Sequence, residues 1–177
     1  QISMSSHNGT HMDAPLHRIA DGASIEQLPL SRLTGYGLVL DATGVPENSP
    51  IPTTVLDSLE TPTWPGWIAL IHTGWDRYWQ EDRYFRHPYL SPDLAKRLVD
   101  SGCGLVAIDA LSVDSTSDAG DAAHAILLGG DVLIAENLRG LHELEPRRRY
   151  GVACLPLPMT GADGSPVRFI AWVPGEI

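Results

Sequence analysis

The sequence of 177 residues predicts one α/β domain, 1–177, with a β-rich core and a mixed β-sheet. Three observations support this fold class: six short strand-like stretches, only two clear helical segments, and frequent breaks by 17 glycines and 14 prolines. Because the strands alternate with helices only in part, a mixed sheet is favoured over a doubly wound parallel sheet. A chain of this length can bury a hydrophobic core that folds without metal or disulfide staples.

The predicted strands are short, contain β-branched or aromatic residues, and are bounded by Gly, Pro or Asp. They cover residues 37–42, 67–73, 105–109, 132–135, 151–157 and 167–173. The stretch 24–33 is ambiguous, because Pro29 would interrupt a helix there. The stretch 45–65 contains five prolines and is predicted to be a loop, with one helical turn near 54–59.

The clearest helix signal covers residues 91–101. Ser91 is a suitable N-cap, Pro92 fits the first helical position, and Gly102 follows the last turn. A second helix is predicted over residues 121–128, with Asp121 as its cap and a pair of glycines after its end.

The charge of the chain limits its partners. The sequence has 22 acidic and 12 basic residues, and the resulting formal net charge of −10 repels phosphate backbones, so no nucleic-acid partner is expected. No apolar run approaches the ~20 residues of a membrane span, and no signal-peptide pattern is present, so we predict no membrane partner and a cytoplasmic location. Cys103 and Cys154 lie in apolar runs and are predicted to be buried, reduced thiols.

Three of the seven histidines, His7, His11 and His17, fall within eleven residues. The glycine between the first two and Pro15 favour a turn that enters an extended segment. In an extended chain, His11 and Asp13 point to the same side, so both can reach one ion.

Imidazoles combined with a carboxylate suit Zn, Mn or Fe, and the two oxygens of Asp13 could bridge two ions. His17 could be a further ligand or an acid/base close to the metal. The alternative interpretation of the same pattern is a polar surface turn or an expression tag.

The segment His7-Asn-Gly-Thr-His11-Met-Asp13-Ala-Pro15-Leu-His17 resembles the HxGTHxDxPxH signature of the cyclase family, which includes bacterial kynurenine formamidase and isatin hydrolase. The resemblance spans the chain, although His72 stands where the family has an Arg. The further matching segments are His72-Thr-Gly-Trp75, Asp109-Ala-Leu-Ser-Val-Asp114, His124-Ala-Ile-Leu-Leu, Ile134-Ala-Glu136-Asn137-Leu138, Leu155-Pro-Leu-Pro and Gly164-Ser-Pro166-Val-Arg168.

The resemblance implies a metal-dependent hydrolase with a swivelling β/β/α fold, in which peripheral helices surround a β-barrel-like mixed sheet. It also implies one or two Zn or Mn ions and a homodimer or homotetramer. Family members carry a segment before the signature that helps to build the substrate pocket, and we expect this chain to lack it. The implied metal ligands are His7, His11, Asp13, His124 and Glu136, and the implied catalytic acid/base is His17.

The predicted reaction is hydrolysis of a carbon–nitrogen bond in a small-molecule amide or lactam, such as N-formylkynurenine or isatin, by water that the metal activates. His17 would pass a proton to the departing amine. A lactone hydrolase, a cyclase on the same site, and a non-catalytic metal-binding homologue are the alternatives. The sequence contains no G-x-S-x-G elbow and no phosphate-binding loop, which disfavours nucleophile-dependent hydrolases and nucleotide enzymes.

Two further groups of residues are each compatible with more than one role. Asp109 and Asp114 could orient ligand imidazoles from behind, with capping of local structure as the alternative for Asp114. The aromatic residues of the stretch 75–79 could line a pocket for a flat aromatic substrate, pack in the core, or form an oligomer contact.

Overall fold

The computed structural model describes residues 1, 3–57, 62, 64–117 and 120–175. Across these ranges, seven strands form a closed barrel in the order β1-β7-β6-β4-β2-β8-β9, and β9 pairs with β1 to complete it. The barrel strands are β1 (His11–Asp13), β2 (Thr34–Asp41), β4 (Trp67–His72), β6 (Cys103–Ile108), β7 (Leu133–Glu136), β8 (Arg149–Pro156) and β9 (Gly164–Trp172). The mixed α/β fold with a barrel-like sheet is therefore confirmed.

The barrel combines two kinds of strand pairing. Strands β2, β4, β6 and β7 run parallel to one another, whereas β1, β8 and β9 join them by antiparallel pairing. A separate two-stranded sheet pairs β3 (Pro50–Ile51) with β5 (Tyr89–Leu90). The parallel strands end at the same edge of the barrel, and β7 brings Glu136 to that edge.

Successive side chains of a strand point to opposite faces of the sheet, so the barrel strands contribute to two separate apolar clusters. One fills the barrel interior and includes Met12, Leu70 and Ala135. The other covers the outer face, where the helices α1 (Pro92–Asp100) and α2 (Ala122–Gly129) pack on strand residues such as Ile71 and Ile134. A side chain on the outer face of β1 or β7 therefore points towards α2.

The two predicted helices are present, but their caps differ from the prediction in one respect. Ser91 Oγ accepts a hydrogen bond from Leu94 N at 3.2 Å, as an N-cap should. Asp121 occupies the cap position of α2 without a side-chain cap bond. Asp114 caps this helix instead, because its carboxylate accepts hydrogen bonds from the backbone N–H groups of Ala123 and His124 at 2.8 and 2.9 Å.

Each of the six predicted strands occurs, with ends that differ by up to three residues. The ambiguous stretch 24–33 forms two short 3₁₀ turns, Ile25–Gln27 and Leu30–Arg32, and Pro29 stands between them. The turn predicted near 54–59 occurs at Thr53–Leu56, whereas Leu59 lies outside the described residues. The short strands β3 and β5 were not predicted from the sequence.

Both cysteines are buried and free, as predicted, and burial raises the pKa of each thiol to about 12. No helix in the described part of the chain is long and apolar enough to cross a membrane.

Candidate metal centre

Strand β1 brings the first part of the site together. It lies between β7 and β9, and its register places His11 opposite Glu136 and Met12 opposite Ala135. Met12 is fully buried in the barrel interior, so His11 and Asp13 point outwards, on the same face as Glu136. The prediction that His11 and Asp13 share one side of an extended segment is confirmed.

Helix α2 adds His124 from its first turn. The Nε2 atom of His124 lies 3.3 Å from Asp13 Oδ2 and 3.4 Å from Glu136 Oε1. The Nε2 atom of His11 lies 3.5 Å from Asp13 Oδ1 and 3.6 Å from Glu136 Oε2. These four side chains, called the buried group below, thus converge, and all four residues are buried.

Two further histidines and an aspartate lie beside the buried group and are more exposed. His7 Nδ1 is 2.7 Å from Asp13 Oδ1, and its Nε2 is 3.1 Å from Asp163 Oδ1. His17 ends the turn Pro15–His17 directly after β1, and its Nδ1 is hydrogen-bonded to Asp163 Oδ2 at 3.0 Å. The open group of His7, His17 and Asp163 therefore meets the buried group at Asp13.

The rings of the open group are closely packed. The ring centroid of His17 lies 4.3 Å from that of His7 and 5.6 Å from that of His124. The ring of His7 also lies on Gly164, where a Cβ atom would come within 2.5 to 3.0 Å of three ring atoms. A residue without a side chain is therefore required at the start of β9.

The imidazoles of His11 and His124 each make a hydrogen bond on the side remote from Asp13 and Glu136. These bonds fix which ring nitrogen faces the two carboxylates. His11 Nδ1 lies 2.9 Å from the Gly9 carbonyl oxygen, and His124 Nδ1 lies 2.7 Å from Asp114 Oδ2. Since a carbonyl and a carboxylate only accept hydrogen bonds, both Nδ1 atoms carry the proton. In the neutral rings, the Nε2 lone pairs therefore point towards the carboxylates of Asp13 and Glu136.

This arrangement fits a divalent cation. Both carboxylate oxygens of Asp13 are buried, and no residue in the described ranges donates a well-aligned hydrogen bond to them. Acceptor atoms that face one another at these distances need positive charge between them. Imidazole nitrogens and carboxylate oxygens without thiolates are the ligands that suit Zn or Mn.

The ionisation of the buried group shows the same need for positive charge. Burial alone would lower the pKa of His124, but the hydrogen bond to Asp114 and the nearby carboxylates of Asp13 and Glu136 raise it to about 10. Burial and the nearby Asp13 raise the pKa of Glu136 to about 7. Burial opposes ionisation of Asp13 too, yet the imidazoles of His124 and His7 hold its pKa below the usual range.

Among the residues that the structure describes, two sets of side chains bring ligand atoms within 4.8 Å of one another, and they share Asp13. One set is His11, Asp13 and Glu136, and the other is His7, Asp13 and His17. The geometry accommodates one ion or two with Asp13 as the bridge. On distance alone His17 is suited to be a ligand as well as an acid/base.

The two aspartates predicted to orient imidazoles have different roles. Asp114 holds His124 through its Nδ1 proton and also caps α2, so both predicted roles fall to one carboxylate. The prediction for Asp109 is wrong: its carboxylate accepts hydrogen bonds from the Thr73 and Gly74 backbone and from the Thr73 hydroxyl at 2.6 to 2.8 Å. Asp109 therefore anchors the turn after β4.

The contacts that fix Asn137, the residue after Glu136, were not predicted from the sequence. Asn137 has a left-handed φ of 58°, and its Oδ1 accepts a hydrogen bond from the Tyr84 hydroxyl at 2.8 Å. Its backbone carbonyl accepts a hydrogen bond from the Thr10 hydroxyl at 2.7 Å. The matching segment around Glu136 contained Asn137, but nothing in the sequence indicated its partners.

The tryptophans of the stretch 75–79 lie in two different environments, one in the core and one at the surface. Trp75 is buried in the outer cluster. Trp79 is exposed, packs on Tyr84 with ring centroids 5.3 Å apart, and borders a small cavity of about 80 Å³ that Thr10 also lines. A contact for substrate or partner is thus available at Trp79 but not at Trp75.

Comparison with known proteins identifies the family. A family model described as "Putative cyclase" matches residues 1–115. The chain is 37% identical over 171 residues to a kynurenine formamidase of Geobacillus thermodenitrificans (strain NG80-2), a match that covers 95% of this chain and 77% of that protein. It is 33% identical to Cyclase-like protein 2 of Oryza sativa subsp. japonica, with 96% of this chain and 63% of that protein covered.

Solved structures agree with this placement. One described as "Potential Metal-Dependent Hydrolase With Cyclase Activity" superposes with a TM-score of 0.81 at 31% identity, covering 97% of this chain and 81% of that one. An isatin hydrolase bound to a product analogue has the same fold, with a TM-score of 0.87 at 22% identity over 97% of this chain and 74% of that one. The chain belongs to the cyclase family of metal-dependent hydrolases.

Proposed function

We propose that the chain hydrolyses the carbon–nitrogen bond of an aryl formamide of the N-formylkynurenine type, with an isatin-type lactam as the second candidate. The observation that carries this proposal is the buried group, which presents imidazole and carboxylate ligand atoms beside a partly exposed histidine, His17. The 37% identical kynurenine formamidase supports a formamide first, because the isatin hydrolase shares only the fold at 22% identity.

The residues that would hold one or two divalent ions, Zn or Mn, are His7, His11, Asp13, His124 and Glu136. When bound, such an ion lowers the pKa of water to ~7 and polarises a carbonyl oxygen. The Nδ1 protons of His11 and His124 are engaged in hydrogen bonds, which makes Nε2 the coordinating atom of each ring in its neutral form.

We assign proton transfer to His17. An amide nitrogen leaves poorly as an anion, so it needs a proton as the carbon–nitrogen bond breaks. Because His17 Nδ1 is bonded to Asp163, its Nε2 is the atom that can exchange a proton with the leaving nitrogen. The His17 side chain is partly exposed, as an acid/base that meets a substrate must be.

A substrate panel tests the proposal. The chain is freed of metal, reloaded with Zn or Mn, and assayed with N-formylkynurenine, isatin and a simple lactone. We expect kcat/KM to be highest for N-formylkynurenine and to disappear without metal. A lactone turned over fastest would support the lactonase or cyclase alternative, and metal binding without any turnover would identify a non-catalytic homologue.

We further propose that the protein assembles as a homodimer or homotetramer. Support comes from exposed apolar side chains on and after β8 and on β9, namely Leu155, Leu157 and Ile170. Light scattering at micromolar concentration should give a mass of two or four chains, and a monomer would refute this assembly.

A further inference from the structure

We propose that Asp163 is a positioning residue that holds the imidazoles of His17 and His7 in the orientation that catalysis requires. The proposal rests on the function proposed above and goes beyond it, because nothing in the matched signature assigns Asp163 a role. The carboxylate has two oxygens, and each faces one imidazole.

The contact with His17 is the stronger of the two. Asp163 Oδ2 lies 3.0 Å from His17 Nδ1 in a hydrogen bond. An aspartate is ionised at neutral pH and then only accepts, so the proton of this bond belongs to Nδ1. The bond therefore fixes both the ring orientation and the tautomer of His17, and it leaves Nε2 as the atom that exchanges protons with a substrate.

The contact with His7 is made by the other oxygen. Asp163 Oδ1 lies 3.1 Å from His7 Nε2, and it also accepts a hydrogen bond from the Ser6 hydroxyl at 3.3 Å. The opposite nitrogen of His7 faces Asp13 at 2.7 Å. His7 is thus held between two carboxylates, one in the buried group and one outside it.

The backbone makes Asp163 a firm support although its side chain is partly exposed. Its carbonyl oxygen accepts a hydrogen bond from Ala14 N at 2.8 Å, directly after β1. The next residue, Gly164, pairs with Asp13 in the barrel, and the ring of His7 packs directly against it. Asp163 is therefore tied to β1, the strand that holds His11 and Asp13.

The test compares Asp163→Asn with a matched control, Asp131→Asn. The substituted side chain keeps the size of the aspartate, but its amide can donate to His17 Nδ1 and so permits the wrong tautomer. Asp131 is exposed, pairs with Arg32 and precedes β7, at the end of that strand remote from Glu136. We expect Asp163→Asn to lower kcat on the formamide by roughly 10–100-fold with little change in KM, and Asp131→Asn to have no effect.

Two readouts separate positioning from a general structural effect. The loss in Asp163→Asn should be smaller on an activated ester, whose leaving group needs no proton. In a double-mutant cycle with His17→Ala, the two losses should not add, because Asp163 acts through His17. Additive losses, or equal losses on amide and ester, would overturn the proposal.

Metal titration and nitrogen NMR of the imidazole rings test the same proposal without turnover. In the zinc-loaded protein we expect His17 to carry its proton on Nδ1, and this preference should be lost in Asp163→Asn, while zinc affinity falls by no more than roughly 100-fold. Complete loss of zinc would make Asp163 a ligand, and an unchanged His17 tautomer would refute positioning. If the wild-type protein turns over no substrate but the tautomer changes as expected, the proposed function fails and the role of Asp163 stands.

Discussion

The buried group and the open group meet at the same aspartate but differ in exposure. The side chains of His11, His124 and Glu136 are at most 7% exposed, whereas those of His7, His17 and Asp163 are 19 to 40% exposed. Buried carboxylates are costly unless a positive charge pairs with them, so burial favours a bound cation. Exposure allows a substrate to reach an acid/base. A single carboxylate, Asp13, thus joins the buried ligands to the more exposed group that contains the fifth candidate ligand, His7, and the acid/base, His17.

The two groups also differ in the elements that carry them. The buried group lies on β1, β7 and α2, where pairing and packing fix each side chain. The open group lies in the segments just before and after β1 and just before β9. The more rigid elements thus hold four of the five candidate ligands, and the adjoining segments hold His7, His17 and Asp163.

The largest effect should follow removal of a ligand from the buried group. We expect His11→Ala to abolish metal binding and turnover together, because Asp13 and Glu136 then face each other with one nitrogen fewer to share an ion. Metal content after gel filtration and the formamide assay measure both losses. His142→Ala, which removes a histidine outside the buried core, is the control, and retained metal in His11→Ala would refute its role as a ligand.

Removing His17 from the open group should separate metal binding from proton transfer. We expect His17→Ala to retain nearly all of its metal while turnover of the formamide falls by roughly 10²–10⁴-fold, the usual contribution of a positioned acid/base. The loss should be milder for an activated ester. A metal-free His17→Ala protein would show that His17 is a ligand, and full amide turnover with metal bound would place the acid/base elsewhere.

An intermediate effect is expected at Asp114, which supports the buried group from behind. Asp114→Asn should weaken metal affinity by roughly 10–100-fold, because the amide offers one acceptor oxygen where the carboxylate offers two, for the Nδ1 proton of His124 and for the cap. Unfolding of the metal-free protein should lose about 0.5–2 kcal/mol from the weakened cap of α2. The matched control is Asp121→Asn, since Asp121 makes no cap bond; equal effects in the two variants would contradict this role of Asp114.

Over a single pH unit, the smallest effect is the dependence of metal affinity on pH. Because the pKa of His124 is raised to about 10, the metal-free protein carries a proton there at neutral pH, and an ion must displace it. Apparent affinity should therefore rise with pH, by roughly tenfold per unit for each displaced proton, between about pH 7 and about pH 9. Calorimetric titration in buffers of different ionisation enthalpy counts the released protons, and an affinity independent of pH would contradict proton displacement.

Local patterns and the family resemblance predicted different parts of the molecule. The six strands, the cap at Ser91 and the shared side of His11 and Asp13 follow from short-range periodicity and turn chemistry. His124 and Glu136 were assigned through the resemblance, since spacing alone does not show that α2 and β7 reach β1.

The features that were missed depend on contacts between distant segments. Asp163 reaches His17 across 146 residues only because β9 closes the barrel against β1. The cap of α2 is Asp114 rather than the adjacent Asp121 for a similar reason: the loop after β6 folds back onto the helix start. Sequence periodicity carries no information about either contact.

Anomalous X-ray diffraction from crystals loaded with Zn or Mn tests most directly the claim that the buried group holds metal and that His17 is not a ligand. We expect a peak in contact with Asp13, with His11, His124 or Glu136 at about 2.0–2.2 Å from it, and no peak that has His17 as a ligand. A metal coordinated by His17, or no bound metal among the buried group, would contradict this division of roles.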